Sequence, residues 1–298
     1  MVHSQIIGAV SPALSALSSF DNVRDFTLSR DGNEAYLSIQ SPTGDLSVIV
    51  LITNIKGAWT EPVLTSFSGK YSDLEPFLTP DGLRLYFASN RPVSNLDNNP
   101  KDFDIWGVER KSLDDEWGDP IRLPEPVNSN ADEFYPSVAR NNNLYFTSDR
   151  EGSLGKDDIF CATWDANRYI KVAQLGTSVN TEGYEFNAYV EANEKFIIFS
   201  GYNREDGLGS GDLYISYRNE DNQWTPAVNL GPEVNSKYMD YCPYFHPDSK
   251  TLYFTSRRSS IEGVNDLVDM EAVKQVLDQY QNGQSRIYKV SVKNILKF

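Results

Sequence analysis

The chain has 298 residues, of which 42 are Asp or Glu and 27 are Lys or Arg, so its formal net charge at pH 7 is −15. Such a surface repels phosphate backbones, which excludes nucleic acid as a predicted partner. The sequence contains no apolar run near the roughly 20 residues that a membrane-spanning helix needs, so no membrane span is predicted.

One phrase recurs five times along the chain: an apolar or aromatic strand, a polar loop, and then an Asp followed by apolar residues. In chain order the copies begin at Ala35, Leu85, Leu144, Ile197 and Leu252. The anchor residues of the copies are Tyr36, Tyr86, Tyr145, Ile198 and Tyr253, which lie 50, 59, 53 and 55 residues apart. A repeat of this length is typical of stacked or radially arranged units.

Each unit reads as four short strands. The first ends in a tight turn such as Pro80-Asp81-Gly82, whose residues suit turn geometry. The aromatic second strand follows, and the third opens with Asp45, Asp104, Asp158 or Asp212. Three units end in the same dipeptide, at Val127-Asn128, Val179-Asn180 and Val234-Asn235. Four antiparallel strands in each of five units predict an all-β fold, a five-bladed β-propeller.

The second unit carries the fullest form of the phrase, from Pro80-Asp81-Gly82 through Leu85-Tyr86-Phe87 to Asp104-Ile105-Trp106. These residues resemble the TolB-like β-propeller repeat, and the resemblance extends over about residues 20–290. It implies a non-enzymatic propeller that binds a partner or serves as a scaffold. It also implies a periplasmic location if a leader has been removed, whereas the N-terminus alone, without a positively charged segment, predicts a cytoplasmic protein.

The chain is predicted to form a single domain closed by both of its ends. The predicted blades span 21–70, 71–130, 131–182, 183–238 and 239–298. The fifth unit has too few residues for a fourth strand, so the N-terminal segment 4–11 is predicted to supply it and to leave little unpaired strand edge.

The fifth unit also carries a long insertion, predicted as a helical segment over 264–283. Leu267, Met270, Val273 and Leu277 recur at a helical spacing, Asp266 suits the N-cap, and Asn282-Gly283 suits the end. Two interpretations stay open. The helix either packs its apolar stripe on the propeller, or it serves as a lid or a docking element for a partner.

Acidic, basic and aromatic residues recur at the ends of strands that are expected to share one face of the ring. The candidate ligand-binding rim consists of the acids Asp73, Glu133, Glu185 and Asp240, the arginines Arg91, Arg150 and Arg258, and the tyrosines Tyr135, Tyr184 and Tyr241. The fourth unit has Asn203 in place of the arginine. One interpretation is an acid–arginine clamp repeated in each blade. The other is an acidic funnel with aromatic side chains that binds a sugar, a peptide or a cation.

Few residues suit metal or nucleophilic chemistry. The two cysteines, Cys161 and Cys242, occupy non-equivalent positions and are predicted to be free buried thiols. With only His3 and His246, neither a catalytic triad nor a zinc site is predicted. The loop 95–104 offers oxygen ligands for Ca²⁺ but lacks EF-hand spacing, so no cofactor is predicted and Ca²⁺ is the alternative.

The leading hypothesis is a non-catalytic, monomeric TolB-like scaffold whose funnel face binds a protein or peptide, with a glycan as another ligand. The alternative is a carbohydrate-active enzyme, a glycoside hydrolase or lyase, that uses two funnel acids such as Glu133 and Glu185. Fold alone cannot choose between these hypotheses, because propellers support both activities.

Overall fold

The computed structural model of the protein describes residues 8–93 and 102–292. Within them, 21 strands form five sheets, and one helix lies near the C-terminus. The N-terminal strand is β1 (Ser11–Pro12), and a single 3₁₀ turn (Ser15–Leu17) leads into the first blade. Blade 1 contains β2 (Asn22–Leu28), β3 (Glu34–Gln40), β4 (Ser47–Ile55), β5 (Ala58–Trp59) and β6 (Val63–Leu64). Blade 2 contains β7 (Asp73–Leu78), β8 (Arg84–Ser89), β9 (Asp104–Glu109) and β10 (Ile121–Arg122).

The remaining blades repeat this order. Blade 3 contains β11 (Glu133–Val138), β12 (Leu144–Ser148), β13 (Asp158–Asp165) and β14 (Arg168–Gln174). Blade 4 contains β15 (Tyr184–Val190), β16 (Phe196–Tyr202), β17 (Gly211–Tyr217) and β18 (Val228–Asn229). Blade 5 contains β19 (Asp240–His246), β20 (Thr251–Ser256) and β21 (Arg286–Ser291), and β1 completes it.

The first strands of the blades form the inner wall of the ring. Strands β2, β7, β11, β15 and β19 contact one another in that order, and β19 contacts β2 again. Within each blade, successive strands pair antiparallel from the inner strand outwards. The predicted five-bladed propeller is therefore confirmed. We call the end of the ring where the inner strands begin the upper face, and the end where they finish the lower face.

The N-terminal strand closes the ring as predicted, although a few residues later than the predicted segment. Ser11 pairs with Lys289 and Pro12 with Tyr288, both antiparallel, so blade 5 combines strands from both parts of the chain. The Ala13 N–H donates to the Ile287 carbonyl at 2.9 Å and extends this pairing. Residues 4–7 of the predicted segment and most of the loop 95–104 lie outside the described residues.

The recurring Val-Asn dipeptides fix the outer edge of three blades. The Asn180 side chain accepts from the Ile159 N–H at 2.9 Å and donates to the Ile159 carbonyl at 3.0 Å. Asn128 and Asn235 bond Ile105 and Leu213 in the same way. Each amide thereby satisfies buried backbone groups of the third strand, both in blades 2 and 4, whose fourth strand is only two residues long, and in blade 3, whose fourth strand has seven residues.

The insertion in blade 5 is mostly irregular and contains one short helix, α1 (Met270–Leu277). Its N-cap is Asp269, whose carboxylate accepts from the Ala272 N–H at 2.8 Å, rather than the predicted Asp266. The predicted apolar stripe is only partly covered, since Met270 is 75% and Leu277 is 56% exposed whereas Val273 is half-buried.

Candidate functional site

Each of the four predicted acids is buried and is bound by an arginine of its own blade. The pairs are Asp73–Arg91, Glu133–Arg150, Glu185–Arg204 and Asp240–Arg258, with N–O distances of 2.6, 2.7, 3.0 and 3.1 Å. In blade 4 the arginine is therefore Arg204, one residue after the predicted substitute Asn203. Asn203 has a left-handed φ of 49°.

These pairs also hold the segments that link the blades. Arg91 donates to the Phe67 carbonyl at 3.1 Å, and Arg150 donates to the Pro126 carbonyl at 3.0 Å. On the acid side, the Ser129 hydroxyl donates to Glu133 at 2.5 Å. Donors and acceptors of the pairs are thus occupied within the protein, which is the geometry of a repeated structural clamp rather than of an open binding rim.

Blade 1 lacks this acid and arginine, and a different arginine binds the segment that leads into its first strand. Arg286, the first residue of β21, is buried and donates to the Asp21 carbonyl at 2.5 Å and the Ser18 carbonyl at 3.2 Å. The seam at which the ring closes is therefore held from blade 5.

The three predicted tyrosines separate into two environments. Tyr184 lies at the upper end of blade 4, where its exposed ring meets that of Tyr202 edge-on at 5.9 Å. Tyr135 and Tyr241 are buried near the axis of the ring. The Tyr135 hydroxyl donates to the Pro243 carbonyl at 3.0 Å, so it joins blades 3 and 5.

A second set of residues, one from each inner strand, meets on the axis. The set consists of Asp25, Glu75, Tyr135, Asn187 and Cys242, and φ in all five lies between 48° and 60°. The strand register shifts at each of these positions, as expected for a β-bulge. The same backbone conformation therefore directs five different side chains towards the axis.

Hydrogen bonds at the axis connect different blades, including two that are not neighbours in the ring. The Asn187 side chain donates to Glu75 Oε1 at 3.2 Å and joins blades 4 and 2. The Cys242 thiol lies 2.8 Å from Asp25 Oδ1 and 3.4 Å from Asn187 Oδ1. Cys242 is thus the buried free thiol that the sequence predicts, and Cys161 is also free but half-buried.

Arg24 binds both carboxylates of this set, which we call the axial carboxylate pair, Asp25 and Glu75. Its Nε lies 2.8 and 2.9 Å from the two Asp25 oxygens, and its Nη2 lies 3.0 Å from Glu75 Oε1. One guanidinium therefore neutralises at most one of two adjacent carboxylates. Removing a second negative charge from water in such a place is costly.

The electrostatics of the pair favour a proton on Glu75. Burial, and then the charge of Asp25, raise the pKa of Glu75 from its usual 4.5 to about 7, although Arg24 opposes the shift. With Glu75 protonated, the remaining buried charges are the Asp25 carboxylate and the Arg24 guanidinium, which balance each other. Burial likewise raises the pKa of the Cys242 thiol well above its usual range, so the thiol stays protonated.

Side chains one residue before the axial set form what we call the axial funnel: Arg24, Phe134, Phe186 and Tyr241. Phe134 and Phe186 are half-buried and pack against the buried cluster that contains Tyr135, Tyr241 and Cys242. The Arg24 guanidinium lies 5.3 Å from the centre of the Tyr241 ring, a cation–π contact. The funnel thus combines aromatic walls with one cation above the carboxylate pair.

Sequence reasoning reached this site only in part, because it singled out the rim tyrosines and passed over Arg24, Asp25, Glu75 and Asn187. A signal was present two residues after each predicted acid, where the residue type changes in every unit while its surroundings repeat. Repeated clamps recur because geometry demands them. A variable residue at a fixed backbone position is the better indicator of chemistry.

The described residues contain no group of three or more His, Cys, Asp or Glu side chains arranged to hold a metal ion. In the same part of the chain, no helix is long and apolar enough to cross a membrane.

Comparisons with known proteins identify the fold and no family. No protein-family profile and no curated protein sequence matches the chain. Among solved structures, an alpha-L-arabinofuranosidase of Podospora anserina in complex with cellotriose is similar, with a TM-score of 0.59, 9% identity, and coverage of 96% of this chain and 95% of that one.

A GH43 endo-arabinanase of Bacillus licheniformis has a TM-score of 0.54 and 12% identity, over 90% of this chain and 93% of that one. A gluconolactonase of Xanthomonas campestris has a TM-score of 0.50 and 10% identity, over 91% of this chain and 72% of that one. At these identities the likeness concerns the fold.

The prediction of a non-catalytic binding scaffold is wrong, and the comparisons give no support for a protein partner. Solved structures that share the five-bladed ring over nearly their whole length include glycoside hydrolases, and one of them holds a glucan oligosaccharide. The fold is therefore one that the alternative hypothesis, a carbohydrate-active enzyme, can use. The TolB-like resemblance itself stays a prediction from the repeated motif.

Proposed function

We propose that this protein is a carbohydrate-active enzyme that hydrolyses glycosidic bonds at the axial funnel, with Glu75 as the proton donor and Asp25 as the second carboxylate. The observation that carries the proposal is the axial carboxylate pair, whose two members lie in environments that separate their roles. Most glycoside hydrolases use two carboxyl groups, one protonated and one ionised. The carboxyl group whose pKa is raised acts as the acid in such pairs.

The hydrogen bonds of Glu75 indicate which oxygen carries the proton. Oε1 accepts from Arg24 Nη2 at 3.0 Å and from Asn187 Nδ2 at 3.2 Å, which uses both of its lone pairs. Oε2 accepts the Tyr135 N–H at 2.8 Å and no second hydrogen bond from the described residues. A proton on Oε2 is therefore available for transfer to the oxygen of a leaving group.

Arg24 is the part of the site that a substrate meets first. Its side chain is 15% exposed, whereas those of Asp25 and Glu75 are 0% and 5% exposed. A sugar ring that enters the funnel must displace this guanidinium, and Asp25 then faces the ring without its partner. The half-buried rings of Phe134 and Phe186 supply apolar surface of the kind that a sugar-binding cleft requires, and the buried Tyr241 lies behind them in the same cluster.

The test is a turnover screen on aryl glycosides and on neutral and acidic polysaccharides. Cleavage is measured as the formation of new reducing ends. For the substrate that is cleaved, Glu75→Gln and Asp25→Asn should each lower kcat/KM by about 10²-fold or more. Glu182→Gln changes an exposed acid on the upper face and should leave the rate unaltered. In the wild-type protein, kcat/KM should fall as the pH rises through about 7, since Glu75 then loses its proton.

Two results would overturn the proposal. One is the absence of turnover across the whole screen. The other is turnover that persists in both axial variants while each remains folded, as judged by circular dichroism and urea unfolding.

A further inference from the structure

A cavity of about 580 Å³ opens on the upper face between blades 4 and 5, beside the axial funnel. Its lining consists of Tyr202, Ser210, Lys237, Tyr238, Met239, Arg257 and Gly283. The ring of Tyr202 is 39% exposed at this cavity, and Met239 packs against the aromatic cluster that contains Tyr241. Aromatic rings that keep one polar end in water suit ligands with both apolar and hydroxylated faces.

Arg257 differs from the other arginines of the upper face. Its neighbour Arg258 binds Asp240, and the clamps of blades 2, 3 and 4 are paired in the same manner. Arg257 is exposed, and its one side-chain hydrogen bond is from Nε to the Ser285 hydroxyl at 3.3 Å. Among the described residues, no carboxylate is paired with it, and Arg257 lines the cavity.

The second cation of the cavity is already neutralised. Lys237 forms an ion pair with Glu262, and Tyr238 also donates to Glu262 at 3.2 Å. The local charge that remains available to a ligand is therefore that of Arg257. This positive position is notable in a chain with a net charge of −15.

A continuous row of side chains leads from Arg257 to the axial carboxylate pair. Ser285 bonds Arg257 on one side and the Tyr241 hydroxyl, at 2.7 Å, on the other. Two guanidiniums lie near the ring of Tyr241. The Arg257 guanidinium is 5.9 Å from the centre of the ring, and the Arg24 guanidinium is 5.3 Å from it. Because Tyr241 and Ser285 are buried, a saccharide in the cavity would contact Arg257 itself, and this row of side chains connects that contact to the axial pair.

We propose that the saccharide bound here carries a carboxylate, that is, a uronic acid unit, which Arg257 recognises through its free N–H groups. This inference rests on the proposed function and specifies the substrate class of the same funnel. The planar guanidinium fork matches a carboxylate with two parallel hydrogen bonds. Because the net charge of the chain repels long polyanions, the ligand is a short oligosaccharide or a chain end rather than the interior of an acidic polymer.

The test compares two pairs of matched ligands on two matched variants. The ligands are trisaccharides of galacturonate and of mannuronate and the same trisaccharides after reduction of their carboxyl groups to alcohols, with binding measured by calorimetry. The variants are Arg257→Met and Arg140→Met. Arg140 is also exposed and has no side-chain ion pair among the described residues, but it follows β11 on the lower face.

We expect one of the acidic trisaccharides to bind the wild-type protein at least about tenfold more tightly than its reduced form, since a charge-assisted hydrogen bond contributes about that much. Arg257→Met should abolish this preference, and Arg140→Met should preserve it.

Equal binding of acidic and reduced ligands, or a preference that survives in Arg257→Met, overturns the uronate inference. Either result leaves the hydrolase proposal standing, because that proposal depends on turnover and on Glu75. Failure of both acidic trisaccharides to bind also overturns the inference. The proposed function is overturned as well only if no glycan is turned over.

Discussion

Glu75 should make the protein less stable as the pH rises towards neutrality, and Glu75→Gln should remove that dependence. The pKa of Glu75 is about 7 in the folded protein and 4.5 when the chain is unfolded, because burial and Asp25 act only in the folded state. Between these pH values the folded state holds a proton that the unfolded state has released, so the free energy of unfolding falls as the pH rises. At about 1.36 kcal/mol for each pKa unit, the loss amounts to about 3 kcal/mol.

The loss is absent below pH 4.5 and complete above pH 7, which fixes the range of the measurement. Urea unfolding followed by tryptophan fluorescence gives the free energy of unfolding for the wild-type protein and for Glu75→Gln at intervals from pH 4.5 to 8. Other carboxyl groups titrate in both proteins, so they cancel in the difference. The variant retains an amide oxygen that can accept the Tyr135 N–H. The two proteins therefore differ in the charge at this position and not in this hydrogen bond.

The expected result is a difference that moves by about 3 kcal/mol in favour of Glu75→Gln between pH 4.5 and 8. Parallel curves for the two proteins would mean that Glu75 does not titrate in this range, and the reasoning about the axial pair would then be refuted. A wild-type protein that gains stability over the variant as the pH rises would place the pKa of Glu75 below its usual value, with the same consequence.

Two further substitutions test the repeated elements of the ring. Asn180→Ala leaves the N–H of Ile159 buried without its partner, whereas the Ile159 carbonyl still accepts the Leu175 N–H, so urea unfolding should show a loss of about 1–3 kcal/mol, and unchanged stability would contradict the role given to this side chain. Glu133→Ala leaves Arg150 without its buried carboxylate and should cost about 3 kcal/mol, against about 0.5 kcal/mol or less for the exposed control Glu182→Ala. Glycan turnover by the folded Glu133 variant should be retained, and its loss without a change in stability would return Glu133 to the list of catalytic candidates.

The repeated parts of the fold were predictable because each is specified several times over. The aromatic second strands and their turns recur in all five units, so errors in one unit are corrected by the others. The repeated Val-Asn dipeptide likewise indicated a constrained position in three units. The structure shows the constraint, because the side chains of Asn128, Asn180 and Asn235 hydrogen-bond the backbone of the third strands. The acid–arginine clamps follow the same logic, even where blade 4 shifts its arginine to Arg204.

The insertion and the axial site were less predictable, because neither is repeated. In the insertion, the spacing of Leu267, Met270, Val273 and Leu277 suggested one apolar stripe, yet of these only Val273 is half-buried, and Val276 lies beside it on the less exposed side of the short helix. A hydrophobic pattern predicts a helix more readily than it predicts what the helix packs against.

At the axis, Glu75, Tyr135 and Cys242 each precede a proline, a position that normally favours an extended backbone. Their left-handed conformation is imposed by the bulged inner strand and cannot be read from local preferences.

The axial bulge also explains how one ring can carry specific chemistry. A left-handed φ at a residue other than Gly costs on the order of 1 kcal/mol, and Glu, Tyr and Cys lack the local hydrogen bonds that help Asn and Asp to adopt it. The cost is met five times here, with φ between 48° and 60°, because the closed ring determines the path of every inner strand. Since the backbone is fixed by the fold, the chemistry at the axis depends only on which side chain occupies each position.

Blades 1 and 2 supply Asp25 and Glu75, and the remaining three supply uncharged partners that hydrogen-bond one of these carboxylates or the axial backbone. An acid that keeps its proton near neutral pH therefore follows from placing two carboxylates at neighbouring, geometrically equivalent positions beside a single arginine.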